Sequence, residues 1–180
     1  KISDTCTPQG VLCVLKQFHY NIEEMLRDKA PLFLLLENIQ DPGNLGTMLR
    51  TGEGAGVSGI IMSRDTVDLY NPKVIRSTMG SIYRVPFYYA DDFAAAVHQV
   101  QRAGVSVYAA HLRGKNSYAC QDYTKGTAFL IGNEGNGLRE ETAELADCYI
   151  RIPMEGKVES LNAAVASSIL MYEAHRQRAI

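Results

Sequence analysis

The chain has 180 residues and a formal net charge of −2, with 46% apolar and 21% charged residues. This is the composition of a globular protein of about one domain, large enough to bury a sizeable core. The near-neutral charge argues against a strongly basic protein that coats nucleic acid, although a local basic patch remains compatible with it. The sequence holds no apolar run long enough to span a membrane.

The cysteines form neither a CxxC pair nor a cluster with histidine at metal-ligand spacing. They are Cys6, Cys13, Cys120 and Cys148. This spacing favours reduced structural thiols in a cytoplasmic protein and predicts no metal site.

From Pro31 onward, apolar strands alternate with amphipathic helices. The predicted strands are Pro31–Asn38, Ser58–Ser63, Tyr83–Tyr89, Val105–Ala110, Thr127–Gly132 and Cys148–Pro153. Three predicted helices have clear ends: Asn71–Ser81, Asp91–Gly104 and Leu138–Asp147. Two more are indicated by helical spacing alone, an early one by Leu45, Met48 and Leu49, and a closing one by Leu161, Ala164, Val165, Ser168, Ile169 and Tyr172. Pro86 favours an edge position for the third strand. The alternation predicts an α/β fold, a mainly parallel sheet with helices on both faces.

Residues 1–30 do not follow this alternation. Thr5–Gln17 is typical of one isolated strand, and Asn21–Ala30 of a short connecting helix. Because a lone strand needs partners, we expect residues 1–30 to be the remnant and linker of a missing N-terminal domain. Residues 31–180 then form the main domain.

Glycine is concentrated in three polar windows near the ends of predicted strands. Ten of the fifteen glycines lie in Gly43–Gly59, Gly132–Gly137 and at Gly156. In open α/β sheets, ligands bind beyond the carboxyl ends of strands, and glycine allows backbone to approach a ligand closely. We therefore expect the three windows to converge on one site.

Two common nucleotide-binding motifs are absent from the sequence. Gly52–Val57 ("GEGAGV") lacks the third glycine of the dinucleotide fingerprint and lies within or after a helix rather than before one. Arg113–Ser117 ("RGKNS") lacks the upstream glycine of a phosphate-binding loop. Both patterns argue against a nucleotide-dependent oxidoreductase or kinase.

The polar residues of the three windows also have purely structural explanations. Asn38 and Asp41 suit a turn before a helix, Arg50 has Glu53 within reach on the same helix face, and Glu134 suits an exposed loop. Ser160 suits the N-cap of the closing helix. Their joint occurrence in the three windows favours a functional site.

The three windows resemble the ordered motifs of the SpoU-type (TrmH-like) RNA 2′-O-ribose methyltransferases of the SPOUT superfamily. The matching stretches are "NIQDPGNLGTMLRTGEGAGV" (Asn38–Val57), "FLIGNEGNGL" (Phe129–Leu138) and "IPMEGKVESLNAAVASSI" (Ile152–Ile169). The segment Asn71–Pro86 resembles the region between the first two motifs. The resemblance covers nearly all of the main domain.

The resemblance implies a C-terminal deep trefoil knot, S-adenosylmethionine as cofactor and a homodimer as the working unit. It implies cofactor contacts, mostly through backbone, at Leu130, Gly132, Ile152, Met154 and Leu161. It gives the catalytic role to Arg50, with Asn38, Glu134, Ser160 and Asn162 beside it. Because guanidinium barely deprotonates, we expect Arg50 to hold a phosphate and stabilise the developing alkoxide rather than act as the base.

The resemblance also implies that residues 1–30 end a ribosomal-L30e-like RNA-binding domain. Candidate RNA-binding residues are Lys73, Arg76 and Arg84, and further basic residues of the same kind are Arg113, Lys115 and Lys157. Each is equally compatible with ordinary solvated surface charge.

The predicted function is methyl transfer from S-adenosylmethionine to a ribose 2′-hydroxyl of rRNA or tRNA. The alternative is a catalytically idle knotted RNA-binding module. The presence of Arg50, Glu134, Ser160 and Asn162 argues against an idle domain.

Overall fold

The computed structural model describes residue 7, residues 10–11 and residues 13–179. Its strands are β1 (Leu32–Leu36), β2 (Gly59–Ser63), β3 (Phe87–Ala90), β4 (Ser106–Ala110), β5 (Asn116–Ser117), β6 (Thr127–Ile131) and β7 (Cys148–Arg151). They form one sheet in the order β3-β2-β1-β6-β4-β7-β5, and every pairing is parallel. The predicted parallel α/β architecture is therefore confirmed.

The described helices are α1 (Ile22–Met25), α2 (Pro42–Ala55), α3 (Pro72–Thr78), α4 (Phe93–Arg102), α5 (Glu140–Ala143) and α6 (Ala163–Arg178). The six predicted strands and the predicted helices are all present. The short β5 was not predicted, and α5 is shorter than the predicted Leu138–Asp147. β3 begins directly after Pro86 and lies at the edge of the sheet, as the proline indicated.

The sheet separates two hydrophobic cores, which explains why its central strands are continuously apolar. In β1, Leu32, Leu34 and Leu36 face one core, and Phe33 and Leu35 face the other. The first core contains residues of α2, α3 and α6, and the second contains residues of α1, α4 and α5. Helices therefore cover both faces, and every residue of β1 and β6 is buried.

Gly46, inside α2, serves helix packing rather than ligand approach. A Cβ on Gly46 would lie 1.8 Å from the Ser77 hydroxyl oxygen and 2.9 Å from the Val74 carbonyl oxygen. Gly46 therefore lets α2 lie directly against α3. The expectation that this window's glycines bring backbone to a ligand is wrong for Gly46, because the neighbour it admits is another helix.

Of the residues whose spacing indicated the closing helix, only Ala164 is on its buried face. The buried residues of α6 are Ala163, Ala164, Ser167, Leu170, Met171 and Ala174. Val165 and Tyr172 are 49% and 50% exposed. The helix is apolar on more than one side, so periodicity alone did not show which side meets the core.

The predicted strand over Thr5–Gln17 is wrong where the structure describes it. Residues 13–20 contain no strand, and Val14 is 90% exposed. The rest of that prediction falls partly on residues 5–6, 8–9 and 12, which lie outside the described residues. The predicted connecting helix is present as α1. The assignment of residues 1–30 to another domain and the trefoil knot both stay predictions.

No helix in the described part of the chain is long and apolar enough to cross a membrane. Among the described cysteines, Cys13, Cys120 and Cys148 are free thiols.

Candidate functional site

Three loops meet at the carboxyl edge of the sheet. They follow β1, β6 and β7, which lie close together in the strand order. A cleft of about 240 Å³ opens between the loops after β6 and β7. Six of the predicted site residues line it: Gly132, Glu134, Ile152, Met154, Ser160 and Leu161.

Asn44, in the first turn of α2, joins the three loops. Its side-chain amide donates a hydrogen bond to Glu134 Oε1 at 3.0 Å. Its side-chain oxygen accepts one from Asn162 Nδ2 at 3.0 Å. One side chain therefore connects the first, second and third motifs. Asn44 is not among the predicted site residues, although an asparagine inside the first motif, where a helix former would be favoured, is a signal in the sequence.

Glu134 is bound to the start of α2 by three donors. Its carboxylate accepts hydrogen bonds from the backbone N–H groups of Gln40 and Asp41, at 3.1 and 3.0 Å, and from the Asn44 amide. Partial burial raises the pKa of Glu134, but these hydrogen bonds outweigh it and the net pKa lies below its ordinary value. Glu134 is therefore an ionised carboxylate that fixes the second loop to the first.

Asn162, rather than Ser160, caps α6. Its side-chain oxygen accepts hydrogen bonds from the backbone N–H groups of Ala164 and Val165, at 2.9 and 3.2 Å. The N-cap explanation for Ser160 is therefore wrong. Ser160 lies two residues before the cap, exposed to solvent, where its hydroxyl lines the cleft.

Asn38 holds the first loop in a left-handed backbone conformation, with φ of 54°. Asparagine tolerates this conformation better than most residues. Its N–H donates to the Ser63 hydroxyl at 2.8 Å, and its carbonyl accepts from Asn133 Nδ2 at 2.8 Å. Its side-chain oxygen accepts from Gln40 Nε2 at 2.6 Å. Asn38 thus fixes the loop by backbone and side chain together.

Glu37 is a buried carboxylate that the sequence analysis did not single out. It is 1% exposed and accepts a hydrogen bond from the Arg139 backbone N–H at 2.8 Å and another from the Thr142 hydroxyl. The Arg139 guanidinium in turn forms an ion pair with Asp65. These contacts fix the end of the second loop. A charged residue directly after the apolar run "LFLLL" was the signal available in the sequence.

Gly132 is required by a close backbone crossing. A Cβ there would lie 2.2 Å from Gly137 C and 2.2 Å from Leu138 N. The second loop folds back through an isolated bridge between Asn133 and Gly137, which produces this contact. Leu130, by contrast, buries its side chain in the second core and does not line the cleft. Its predicted backbone contact with a cofactor stays a prediction.

Arg50 lies on the exposed face of α2. In the part of the chain that the structure describes, it makes no ion pair and no side-chain hydrogen bond. Gly43, Thr47 and Gly54 share this exposed strip at helical spacing. Arg50 is not among the residues that line the cleft.

Glu53 does not pair with Arg50, so that structural explanation is wrong. Its carboxylate instead forms an ion pair with Arg84 and accepts a hydrogen bond from the Ser81 hydroxyl. The hydrogen bonds from Arg84 and Ser81 lower the pKa of Glu53 to about 2. The charge of Arg84 is thereby neutralised, whereas Lys73 and Arg76 are exposed on α3 without an ion pair among the described residues.

The lining of the cleft suits a partly apolar ligand with polar groups. Ile152 and Leu161 supply apolar surface, Glu134 and Glu159 supply carboxylates, and Arg151 supplies a cation. Within the described residues, no group of three or more His, Cys, Asp or Glu side chains is placed to hold a metal ion.

The chain is similar to known proteins of one family. Residues 31–172 match the SpoU rRNA Methylase family. The chain is 35% identical over 171 residues to the 23S rRNA (guanosine(2553)-2′-O)-methyltransferase RlmP of Bacillus subtilis, covering 95% of this chain and 66% of that protein.

Two solved structures are similar throughout most of the fold. The SpoU methyltransferase AviRb of Streptomyces viridochromogenes matches with a TM-score of 0.83 and 30% identity, covering 88% of this chain and 64% of that one. The AdoMet-bound rRNA methyltransferase of Sinorhizobium meliloti matches with a TM-score of 0.81 and 38% identity, covering 89% and 62%. The chain thus spans slightly less than two thirds of the length of these relatives. It belongs to the SpoU rRNA Methylase family.

Proposed function

We propose that the protein transfers a methyl group from S-adenosylmethionine to a ribose 2′-hydroxyl of rRNA or tRNA. The observation that carries the proposal is the hydrogen-bonded chain Glu134–Asn44–Asn162. It joins the three family motifs around one cleft. Family membership and the names of the relatives support the same activity.

The residues of the cleft suit the proposed cofactor. Apolar side chains of Ile152 and Leu161 offer a surface for an adenine ring, and the ionised carboxylate of Glu134 favours a cation nearby. Backbone of the second loop lines the cleft at Gly132, Gly135 and Gly137, where side chains do not cover the peptide groups. When bound, S-adenosylmethionine supplies a methyl group activated by the positive sulfonium.

In this proposal, the protein's own residues position the acceptor and stabilise its charge. Arg50 holds a phosphate beside the reacting ribose and stabilises the negative charge that develops on the 2′-oxygen as its proton passes to solvent. Asn44 and Glu134 fix the start of α2, and with it Arg50, relative to the cleft. Asn162 fixes the third loop, so the Ser160 hydroxyl stays at the cleft wall.

The same proposal includes a homodimer in the cytoplasm. Val165 and Tyr172 on α6 leave an apolar strip exposed to solvent next to α2. A second copy of the chain would cover this strip.

The first test is calorimetric titration with S-adenosylhomocysteine, with NAD as the control ligand. We expect saturable binding of S-adenosylhomocysteine alone, and its loss in Leu161→Arg, because a guanidinium at the cleft wall removes apolar contact and must itself lose solvation when the ligand binds. Failure of the unmodified protein to bind would overturn the methyltransferase proposal and favour the idle RNA-binding module.

A second variant tests the role of Arg50. Arg50→Lys keeps the charge but loses the planar fork, so we expect methyl transfer to fall by roughly tenfold or more while S-adenosylhomocysteine binding is unchanged. Nearly full methyl transfer in this variant would contradict the phosphate-holding role.

A further inference from the structure

A second cavity, of about 620 Å³, lies at the free edge of β3. It shares no lining residue with the cleft described above. Its walls are β3, the loop after β2 and the segment Gln17–Tyr20. Six aromatic side chains line it: Phe18, Tyr20, Tyr70, Phe87, Tyr88 and Tyr89.

Hydrogen bonds and ring contacts hold these walls in place. The Phe18 backbone N–H donates to the Tyr70 hydroxyl at 2.8 Å, which ties the Gln17–Tyr20 segment to the loop. The Tyr20 ring meets Phe87 edge-on, with centroids 5.3 Å apart. The Tyr89 hydroxyl accepts from the Leu69 N–H at 2.9 Å and donates to the Val67 carbonyl at 2.7 Å. The aromatic walls are therefore preorganised.

The edge of β3 adds backbone donors and acceptors to this cavity. Phe87 is in register with Ile60, whose N–H donates to the Pro86 carbonyl. In a parallel pair, alternate residues bond to the neighbouring strand, so the N–H and C=O groups of Phe87 and Tyr89 point away from β2. β3 is the terminal strand, and no described strand pairs with that side.

This combination fits an unpaired nucleobase. Aromatic faces stack on bases, and neighbouring N–H and C=O groups can hydrogen-bond a base edge. The charged lining residues are Arg64, which pairs with Asp91, and Asp68. With one cation against two carboxylates, the cavity suits an uncharged base better than a phosphate.

The cavity adjoins the catalytic loops through the loop after β2. The Thr66 hydroxyl accepts from the Ile39 N–H at 3.3 Å, and Thr66 also lines the cavity. The Ser63 hydroxyl accepts from the Asn38 N–H. One loop thus separates the two sites.

We propose that this cavity binds an unpaired base of the RNA substrate, close in the chain to the nucleotide that is methylated. The proposal rests on the proposed function. Because Gln17–Tyr20 forms the opposite wall, the space is a pocket rather than an open strand edge, which favours a single base over an added peptide strand.

The test measures binding of a fluorescently labelled single-stranded RNA 12-mer of mixed sequence by anisotropy. Phe18→Ala and Tyr20→Ala should each weaken binding by roughly tenfold or more, because each removes a stacking surface. Tyr83→Ala is the matched control, since Tyr83 contacts Phe18 with ring centroids 6.0 Å apart but does not line the cavity. Affinities of both variants within twofold of the unmodified protein would overturn the proposal.

A second measurement does not depend on variants. Uncharged nucleosides titrated into the ¹⁵N-labelled protein should shift the NMR amide signals of Phe87 and Tyr89. No shift with any of the four nucleosides, or a shift only with an extended peptide, would overturn the base site.

S-adenosylhomocysteine binding separates this proposal from the proposed function. The affinity for S-adenosylhomocysteine should be the same in Phe18→Ala, in Tyr20→Ala and in the unmodified protein. In both variants, methyl transfer should show a raised KM for RNA and an unchanged kcat. The unmodified protein could bind no S-adenosylhomocysteine while both variants bind RNA more weakly than it does. In that case the methyltransferase proposal fails and the proposed base cavity stands.

Discussion

At the scale of single residues, the site depends on amide and carboxylate side chains that hydrogen-bond one another and the backbone. The side chains of Asn38, Asn44 and Asn162 each bind a neighbouring polar group near a loop that the proposed chemistry uses. Structural and functional explanations are therefore not exclusive here. Asn162 caps a helix and at the same time orients the first motif through Asn44.

The hydrogen bonds to Glu134 predict a pH-dependent contribution to stability. Its folded-state pKa is lowered, so the stabilisation is present above the unfolded-state pKa of about 4.3 and is lost as pH falls through the folded-state value. Glu134→Gln should lower the free energy of unfolding at pH 7 by about 1 kcal/mol, a figure reduced for partial solvent exposure. Urea denaturation at pH 7 and in acid measures the difference.

The control for this prediction is Glu159→Gln, which alters a cleft-lining carboxylate that makes no side-chain hydrogen bond among the described residues. We expect it to leave the free energy of unfolding unchanged at both pH values. If Glu134→Gln lowered the free energy of unfolding as much in acid as at pH 7, that result would contradict the role assigned to the ionised carboxylate.

At the scale of elements, glycines within α2 have different roles that only their neighbours explain. A Cβ added to Gly46 would meet atoms of Ser77 and Val74 in α3 at distances that no side chain tolerates. Around Gly54, the nearest atom to an added Cβ is the Tyr172 hydroxyl, the far end of a flexible side chain, at 3.0 Å. The sequence shows two similar helical glycines, and the packing distinguishes them.

These two glycines should respond to alanine with opposite signs. Gly46→Ala should lower the free energy of unfolding by about 1–3 kcal/mol, because backbone of α3 must move. Gly54→Ala should leave it unchanged or raise it by up to about 1 kcal/mol, since alanine is the better helix former. Thermal and urea unfolding measure both, and equal effects of the two substitutions would contradict this account.

At the scale of the whole molecule, α6 is apolar on two sides, and one of them packs against α2 and the sheet. The other side is the exposed strip that contains Val165 and Tyr172. A second copy of the chain is the proposed occupant of this strip.

Val165→Glu tests the proposed dimer. Burying a carboxylate without a partner is costly, so we expect a shift from dimer to monomer in sedimentation velocity. The folded monomer should survive, because glutamate is favourable in the first turn of a helix. Val14→Glu, at a highly exposed position away from α6, is the control and should leave the sedimentation coefficient unchanged. A monomeric unmodified protein would contradict the dimer at once.

The sequence by itself determined the order of elements and the parallel sheet, because strand and helix periodicity and turn residues are local. It also indicated that three motif loops share a site, because strand ends of a parallel sheet lie at one edge. Only the tertiary structure decided that Asn44 joins these loops, that Glu53 binds Arg84 and that Gly46 admits α3. These depend on contacts between residues far apart in the chain, and neither periodicity nor local propensity encodes such contacts.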